Sequence, residues 1–315
     1  MKKIAALNID VDPLLCYYAI HGLEYSSTGV DPIYAFGVGR FLDLLDKNGI
    51  KGTFFVTANG FNEGNLDILK AIVARGHEIA DHSFSHDYQL TRMTKEGIGR
   101  EIRQNFEFLK ERVGAECRGF RSPGYNSSPD LISVIKSMGY IYDSSLFPSP
   151  AYYMAKALLI AQKRLFGHIS KSFIYSFGDA FGKYTPEFID KNVKDIQKTG
   201  DFVELPMTTL LYPVGIPLIG TSIIAFPGWL LNFLLKSSKG RGFINIEAHG
   251  IDMCDVDDSP DFAPLKSRQP DLSFRLDRKI ERFQYVIDFY KKEGFIFKRL
   301  DEIAAEKIAS LKGEK

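Results

Sequence analysis

What most constrains the fold of this chain is an alternation: short apolar runs of strand character take turns with longer segments of helical period along most of its length. The runs from Ile4 to Ile9, Gly52 to Thr57, Glu78 to Asp81 and Gly119 to Arg121 are predicted strands. Between and after them, Phe36 to Lys47, Asn65 to Arg75, Lys95 to Val113 and Pro129 to Met138 are predicted helices, the last closed by Gly139. Strands from Phe202 to Pro206, Gly242 to Glu247 and Ile296 to Lys298, with helices from Asp277 to Glu293 and from Leu300 onward, complete the pattern. Strands joined by crossover helices pair in parallel, because each helix returns the chain to the same end of the sheet. About seven βα units predict an α/β barrel.

The 315 residues, 45% of them hydrophobic, suffice for a sizeable core, and a single domain over 1–315 is expected. Between about Pro148 and Gly200 the rhythm fails, after the fifth or so βα unit, in an aromatic, Ser- and Gly-rich stretch expected to be an insertion or lid. Forty basic against thirty-nine acidic residues leave a formal charge of +1, which excludes recognition of nucleic acid by bulk charge and favours small or neutral substrates. Cys16, Cys117 and Cys254 are odd in number and lack metal-type spacing, so a reducing, cytoplasmic setting is expected. The basic start Met1-Lys2-Lys3 is followed by an apolar run broken at Asn8, Asp10 and Asp12, which reads as a buried strand rather than a leader. No stretch reaches the roughly 20 apolar residues of a spanning helix, although 151–167 and 213–235 are unusually apolar.

In such a barrel chemistry gathers where strands end and loops begin, and four predicted strand ends carry titratable groups. The first ends in Asp10-Val11-Asp12, the third runs into His82-Ser83-Phe84-Ser85-His86, the fourth closes at Arg121-Ser122-Pro123-Gly124, and another ends at Glu247-Ala248-His249. Two residues apart on a strand, Asp10 and Asp12 face the same way, an arrangement that makes sense if a cation neutralises one carboxylate and the other works as a base. The competing reading is that one of them caps the turn before Pro13. His82 and His86 have the spacing of a two-imidazole site, which with a carboxylate suits zinc, or cobalt or nickel; chance proximity in a chain with six histidines is the alternative. Asp12, His82 and His86 together would leave coordination positions open, as catalytic sites do. Arg121 is a candidate orienter of Asp10, the Gly124 amide a candidate oxyanion donor, and His249 a candidate general acid; an ordinary turn and a buried core histidine are the alternatives. His77, predicted at the opposite strand end, and His21 and His168, without neighbouring partners in sequence, are left out of the site.

Taken in order, Asp10-x-Asp12, Gly52-Thr53-Phe54-Phe55-Val56, Gly76-His77-Glu78-Ile79, His82-Ser83-x-x-His86 and Arg121-x-Pro123 resemble the motifs of the polysaccharide deacetylases, the NodB-homology family (carbohydrate esterase family four). The resemblance covers residues 4 to 147, and 202 to 303 more weakly through Glu204-Leu205-Pro206 and Glu247-Ala248-His249. It implies a distorted (β/α) barrel of about seven strands and hydrolysis of N-acyl groups, usually acetyl groups on amino sugars, at one divalent ion, zinc foremost. It also implies roles: Asp10 as base, Asp12, His82 and His86 as metal ligands, Arg121 as orienting residue and His249 as acid. Val11 between the aspartates is similar to the branch that contains peptidoglycan-deacetylase-like, allantoinase-like and aminoarabinose-deformylase-like members. Gly124-Tyr125 stands where many relatives have an aromatic residue followed by glycine. Glu247 occupies a usually aliphatic place, and the tryptophan-containing fourth motif has no clear match.

The mechanism expected from this is attack of water, deprotonated by Asp10, on an amide carbon, with His249 protonating the departing amine. The substrate expected is an N-acetylated or lipid-linked sugar. A small non-sugar amide and a non-catalytic carbohydrate-binding role are the alternatives. Tyr152, Leu158, Leu159, Phe166 and the run from Ile223 to Leu235 are candidates for a lipid-facing lid with peripheral membrane contact; packing on the barrel or a homo-oligomer interface is the competing account.

Overall fold

The computed structural model describes residues 2–26, 29–165, 177–182, 185–188 and 201–313. Among the described residues seven parallel strands lie side by side in an incompletely closed barrel ringed by helices. In chain order the strands are β1 (Lys3–Val11), β2 (Thr53–Val56), β3 (Glu78–Asp81), β4 (Gly119–Phe120), β5 (Tyr142–Asp143), β6 (Glu187–Phe188), β7 (Val203–Glu204), β8 (Thr209–Leu210), β9 (Ile216–Pro217), β10 (Phe243–His249) and β11 (Phe295–Phe297). They run side by side as β10-β1-β2-β3-β4-β5-β7, with β6 antiparallel on the β7 edge and β11 parallel to the first residues of β1. The gap between β7 and β10 is bridged beyond the strands: Thr208 donates its N–H to Asn245 O at 2.9 Å, and Asn245 N–H donates to Thr208 Oγ1 at 2.8 Å.

The helices are α1 (Leu14–Ile20), α2 (Gly39–Lys47), α3 (Leu66–Ala74), α4 (Lys95–Phe108), α5 (Pro129–Ser137), α6 (Pro150–Leu165), α7 (Gly220–Ala225), α8 (Gly228–Lys236), α9 (Leu276–Lys292) and α10 (Leu300–Gly313). Local chemistry sets their ends. Ser128 accepts from Leu131 N–H and Pro129 opens α5, whereas Gly139, in the left-handed region at φ 87°, turns the chain after it. Thr94 caps α4 in the same way. The helices expected from Phe36 and over Lys95 to Val113 both form, but each contains a stretch of wider π-type winding, at Ile33–Val38 and Leu109–Val113.

The two-residue period of the strands decides what lies inside. Ala5, Leu7, Ile9 and Val11 of β1 pack outward in the cluster beneath the helices, while Ala6, Asn8 and Asp10 belong to the barrel interior. Likewise Phe54 and Val56 pack outward and Phe55 inward, and Ile244, Ile246 and Ala248 pack outward while Asn245 and Glu247 belong to the interior. Leu300, Ile303 and Ala304 of α10 join the inner cluster and plug the amino end of the barrel.

The stretch expected to be an insertion contains α6, a short helical turn at Phe177–Phe181 and β6. Phe166 and His168 fall outside the described residues. Most of the apolar run from Ile223 to Leu235 is buried in the main core through Ile223, Ile224, Leu231, Leu234 and Leu235; among its large apolar side chains Trp229 and Phe233, on one face of α8, are well exposed. That run therefore packs on the barrel rather than facing outward as a whole. Among the described residues no helix is long and apolar enough to cross a membrane.

Candidate metal and catalytic site

β1 carries Asp10 to the carboxyl rim and Asp12 follows directly, both almost fully buried. His82 leaves the end of β3. The loop that follows holds two non-glycine residues at positive φ, Ser83 at 65° and His86 at 54°, a conformation that costs energy and is held by its surroundings. Asp81 accepts from Ser83 N–H at 2.8 Å, Thr57 Oγ1 donates to Phe84 O, Asn59 donates to Ser85 O, and Glu101 accepts from both Ser85 N–H and Ser85 Oγ. Asp81 is in turn held by Asn105 and Tyr140. This clamped turn brings both imidazoles to Asp12: His86 Nε2 lies 3.1 Å and His82 Nε2 3.6 Å from Asp12 Oδ1.

Three features of this trio suit a cation. Potential ligand atoms of Asp12, His82 and His86 lie within 4.8 Å of one another. Asp12 Oδ1 is buried and makes no well-aligned hydrogen bond; its near contact is the ion-pair distance to His86 Nε2, so the oxygen has room in its coordination for a further positive partner. His82 Nδ1 lies 2.7 Å from the carbonyl of Arg121, which assigns the proton to Nδ1 and turns the Nε2 lone pair toward Asp12. The charges agree. Burial pushes the Asp12 carboxyl up, but the imidazoles of His86, His82 and His249 outweigh it and hold the group well below the usual carboxylate range. Burial lowers His82 to about 4, favouring the neutral imidazole that metal binding needs.

Asp10 sits on the other side of His82, with Oδ2 3.9 Å from His82 Nε2. Its Oδ1 accepts from Arg121 Nη1 at 2.5 Å. Arg121 is fully buried; its Nε and Nη2 donate to Ser144 O and Ser144 Oγ, both at 3.0 Å, and its guanidinium covers the Phe55 ring at 4.1 Å. Ser144 follows the two-residue strand β5, which the sequence pattern did not reveal.

His249 ends β10, and its Nε2 lies 3.8 Å from Asp12 Oδ2. Glu247 shares the inward face two residues earlier and sets Oε1 2.9 Å from His249 Nδ1. Tyr125 OH donates to the same oxygen at 3.2 Å and lies 3.5 Å from His249 Nε2. Burial opposes protonation of His249, but Glu247 foremost and then Asp12 and Asp10 raise its pKa well above the ordinary value. Glu247, which departs from the family pattern in sequence, is thus the partner of His249. Its signal was available in the two-residue spacing, whereas nothing in sequence linked Tyr125 to it. Gly124 stands at φ 67° in the turn after Arg121, and a Cβ there would meet Tyr88 at 2.6 Å, so the close approach requires glycine.

Two of the excluded histidines lie elsewhere. His77 is buried at the amino end of the strands, where its Nδ1 accepts from Gly52 N–H, and His21 pairs with Gln269.

Residues 29–142 match the family model described as polysaccharide deacetylase. A peptidoglycan deacetylase-like protein of Gibberella zeae is 34% identical over 112 residues, covering 35% of this chain and 32% of that protein. A peptidoglycan deacetylase of Helicobacter pylori is 25% identical over 146 residues, 45% of this chain and 49% of that one. The matched segments thus span about a third to a half of these two relatives. The fold extends further: a polysaccharide-deacetylase-type crystal structure from Mycobacterium smegmatis superposes over 98% of this chain and 92% of its own with a TM-score of 0.58 at 18% identity.

Proposed function

We propose, from the premise that residues 29–142 carry the polysaccharide deacetylase signature, that this chain hydrolyses an amide C–N bond and removes the acetyl group from an N-acetylated sugar. The observation that carries the proposal is the convergence of Asp10, Asp12, His82, His86, Arg121 and His249 at one barrel rim, around a buried Asp12 oxygen that both imidazoles face. Asp12, His82 and His86 are the residues that would hold a divalent cation, zinc by the chemistry of the donor set, with cobalt or nickel as substitutes. Bound there, the ion would supply Lewis-acid polarisation of the amide carbonyl and a more acidic water.

The chain's own groups divide the remaining work. Arg121 occupies Asp10 Oδ1, which leaves Oδ2 as the atom that takes the proton of the attacking water. As the new C–O bond forms, the Gly124 N–H donates to the carbonyl oxygen that gains charge. Glu247 holds His249 Nδ1 and keeps the imidazole protonated, so Nε2 is the atom that gives a proton to the departing nitrogen as the C–N bond breaks. The products are a carboxylic acid and an amine, which part as carboxylate and ammonium, and the proton taken by Asp10 replaces the one given by His249.

The same groups would cleave a small non-sugar amide or a formamide, so the substrate class is decided by turnover. The experiment is metal analysis of the purified protein together with acetate and formate release from N-acetylated sugars, lipid-linked sugars and small amides. Acetate release from N-acetyl sugars by metal-loaded protein supports the proposal. Turnover confined to small amides transfers the activity to that class, and absence of both metal binding and turnover leaves a carbohydrate-binding role.

A further inference from the structure

Helix α6 packs beside the Gly124-Tyr125 turn of the site, and one residue on it has no role in the chemistry above. The ammonium of Lys156 donates to Gly124 O at 3.2 Å and lies 5.4 Å from the centre of the Tyr152 ring. Among the described residues no carboxylate lies within ion-pair distance of it. Burial alone lowers its pKa, to about 8. A half-buried ammonium with three donors and only a neutral carbonyl as partner has donor capacity to spare and carries an uncompensated desolvation cost.

Its position tells where that capacity points. Within one residue the backbone N and O lie at most about 4 Å apart, so Nζ is no more than about 7 Å from the Gly124 amide. Tyr152, one helical turn earlier, meets the Tyr125 ring at 6.0 Å, and Tyr125 OH reaches Glu247 and His249. The lysine therefore stands about one sugar-ring width from the reacting centre, above a tyrosine surface. The carboxylates of Asp10, Asp12 and Glu247 lie deeper and would repel an anion placed among them, which leaves the rim as the place for one.

We propose that Lys156 is a specificity residue that binds an anionic substituent, a phosphate or a carboxylate, carried by the amino sugar whose acetyl group enters the site. This rests on the deacetylase reading. The competing role is a mere clamp of α6 onto the Gly124 turn.

The test uses the full chain loaded with metal, and reads amine acylation of Lys156 by mass spectrometry alongside ligand affinity. The probes are N-acetylglucosamine 1-phosphate, N-acetylmuramic acid and neutral diacetylchitobiose. The expected result is that an anionic probe slows acylation of Lys156 and the neutral one does not. Lys156→Gln should weaken the protecting anionic probe about tenfold or more while neutral-sugar affinity is unchanged, and Lys156→Arg should restore most of it. Protection by the phosphate alone assigns a phosphorylated sugar, and protection by the muramic acid alone an acidic sugar. Equal protection by neutral and anionic probes, no protection by either anion, or an equal loss for both classes in Lys156→Gln overturns the proposal. Protection without acetate release from any sugar would leave Lys156 as an anion site and sink the deacetylase reading instead.

Discussion

The two ends of the barrel interior are built from the same alternation of inward side chains, yet they treat buried charge in opposite ways. At the amino end Glu78 is fully engaged: Oε2 accepts from Thr53 Oγ1 at 2.6 Å and from Asp301 N–H at 3.1 Å, and Oε1 accepts from Tyr142 OH at 2.8 Å. At the carboxyl end Glu247 Oε2 is buried without a hydrogen bond from the chain, and Asp12 Oδ1 has only the ion-pair contacts of His86 and His82. A satisfied buried carboxylate is part of the packing, whereas an unsatisfied one is costly unless something from outside completes it. The difference separates a holding cluster closed by its own hydrogen bonds from one with capacity left for a partner, the proposed working end, although both are polar, buried and set at strand ends.

The largest effect should come from emptying the working end. Changing Asp12 and His86 together to Ala should reduce metal content from near stoichiometric to background and abolish turnover, as read by elemental analysis and an acetate-release assay. Retained metal in that variant would move the cation elsewhere. Next, Asp10→Asn should cost about 10²- to 10⁴-fold in turnover with metal content intact. It should also lower the melting temperature, because Arg121 then carries a buried charge without its carboxylate. A variant with full metal and full rate would end the base assignment.

A smaller loss is expected from Glu247→Gln, roughly 10- to 100-fold in kcat, the range seen when a carboxylate that orients a site imidazole is removed. KM should change little, since Glu247 acts through His249.

The smallest effect on activity belongs to the holding end. Burial foremost, and then the charge of Asp301, raise the Glu78 carboxyl from its ordinary 4.5 to about 7. The folded state therefore binds the proton more tightly than the unfolded chain does. The resulting stabilisation is full below about pH 4.5 and is lost as pH climbs through about 7. Glu78→Gln mimics the protonated form, so it should flatten the decline in denaturant stability across that window and leave turnover near wild type. A decline as steep as in the wild type would show that another group causes it.

Much of the working end is legible in the order of the amino acids, because its signals are local. Asp10 and Asp12, or Glu247 and His249, share a face at a spacing of two on an extended strand, and each pair follows an apolar run long enough to predict. The same logic finds β3 residue for residue and α5 within one residue of each end. What escapes it is short or non-local. Tyr142–Asp143 is two residues long and is defined only by pairing with β4 and β7, so Ser144, which grips Arg121, could not be anticipated. The position of α6 beside the Gly124 turn likewise depends on a contact distant in sequence.

Residue type and period thus determined by themselves that the chain is an α/β barrel with carboxylates and imidazoles at its strand ends, since strand alternation and helix periodicity are properties of neighbouring residues. Only the tertiary structure decided that Glu247 serves His249, that Arg121 serves Asp10, and that Lys156 overlooks the site with no counter-ion among the described residues. Those relations join residues up to 111 positions apart, as Arg121 and Asp10 are, and distances across a curved sheet are set by its pairing and twist rather than by any local stretch of sequence.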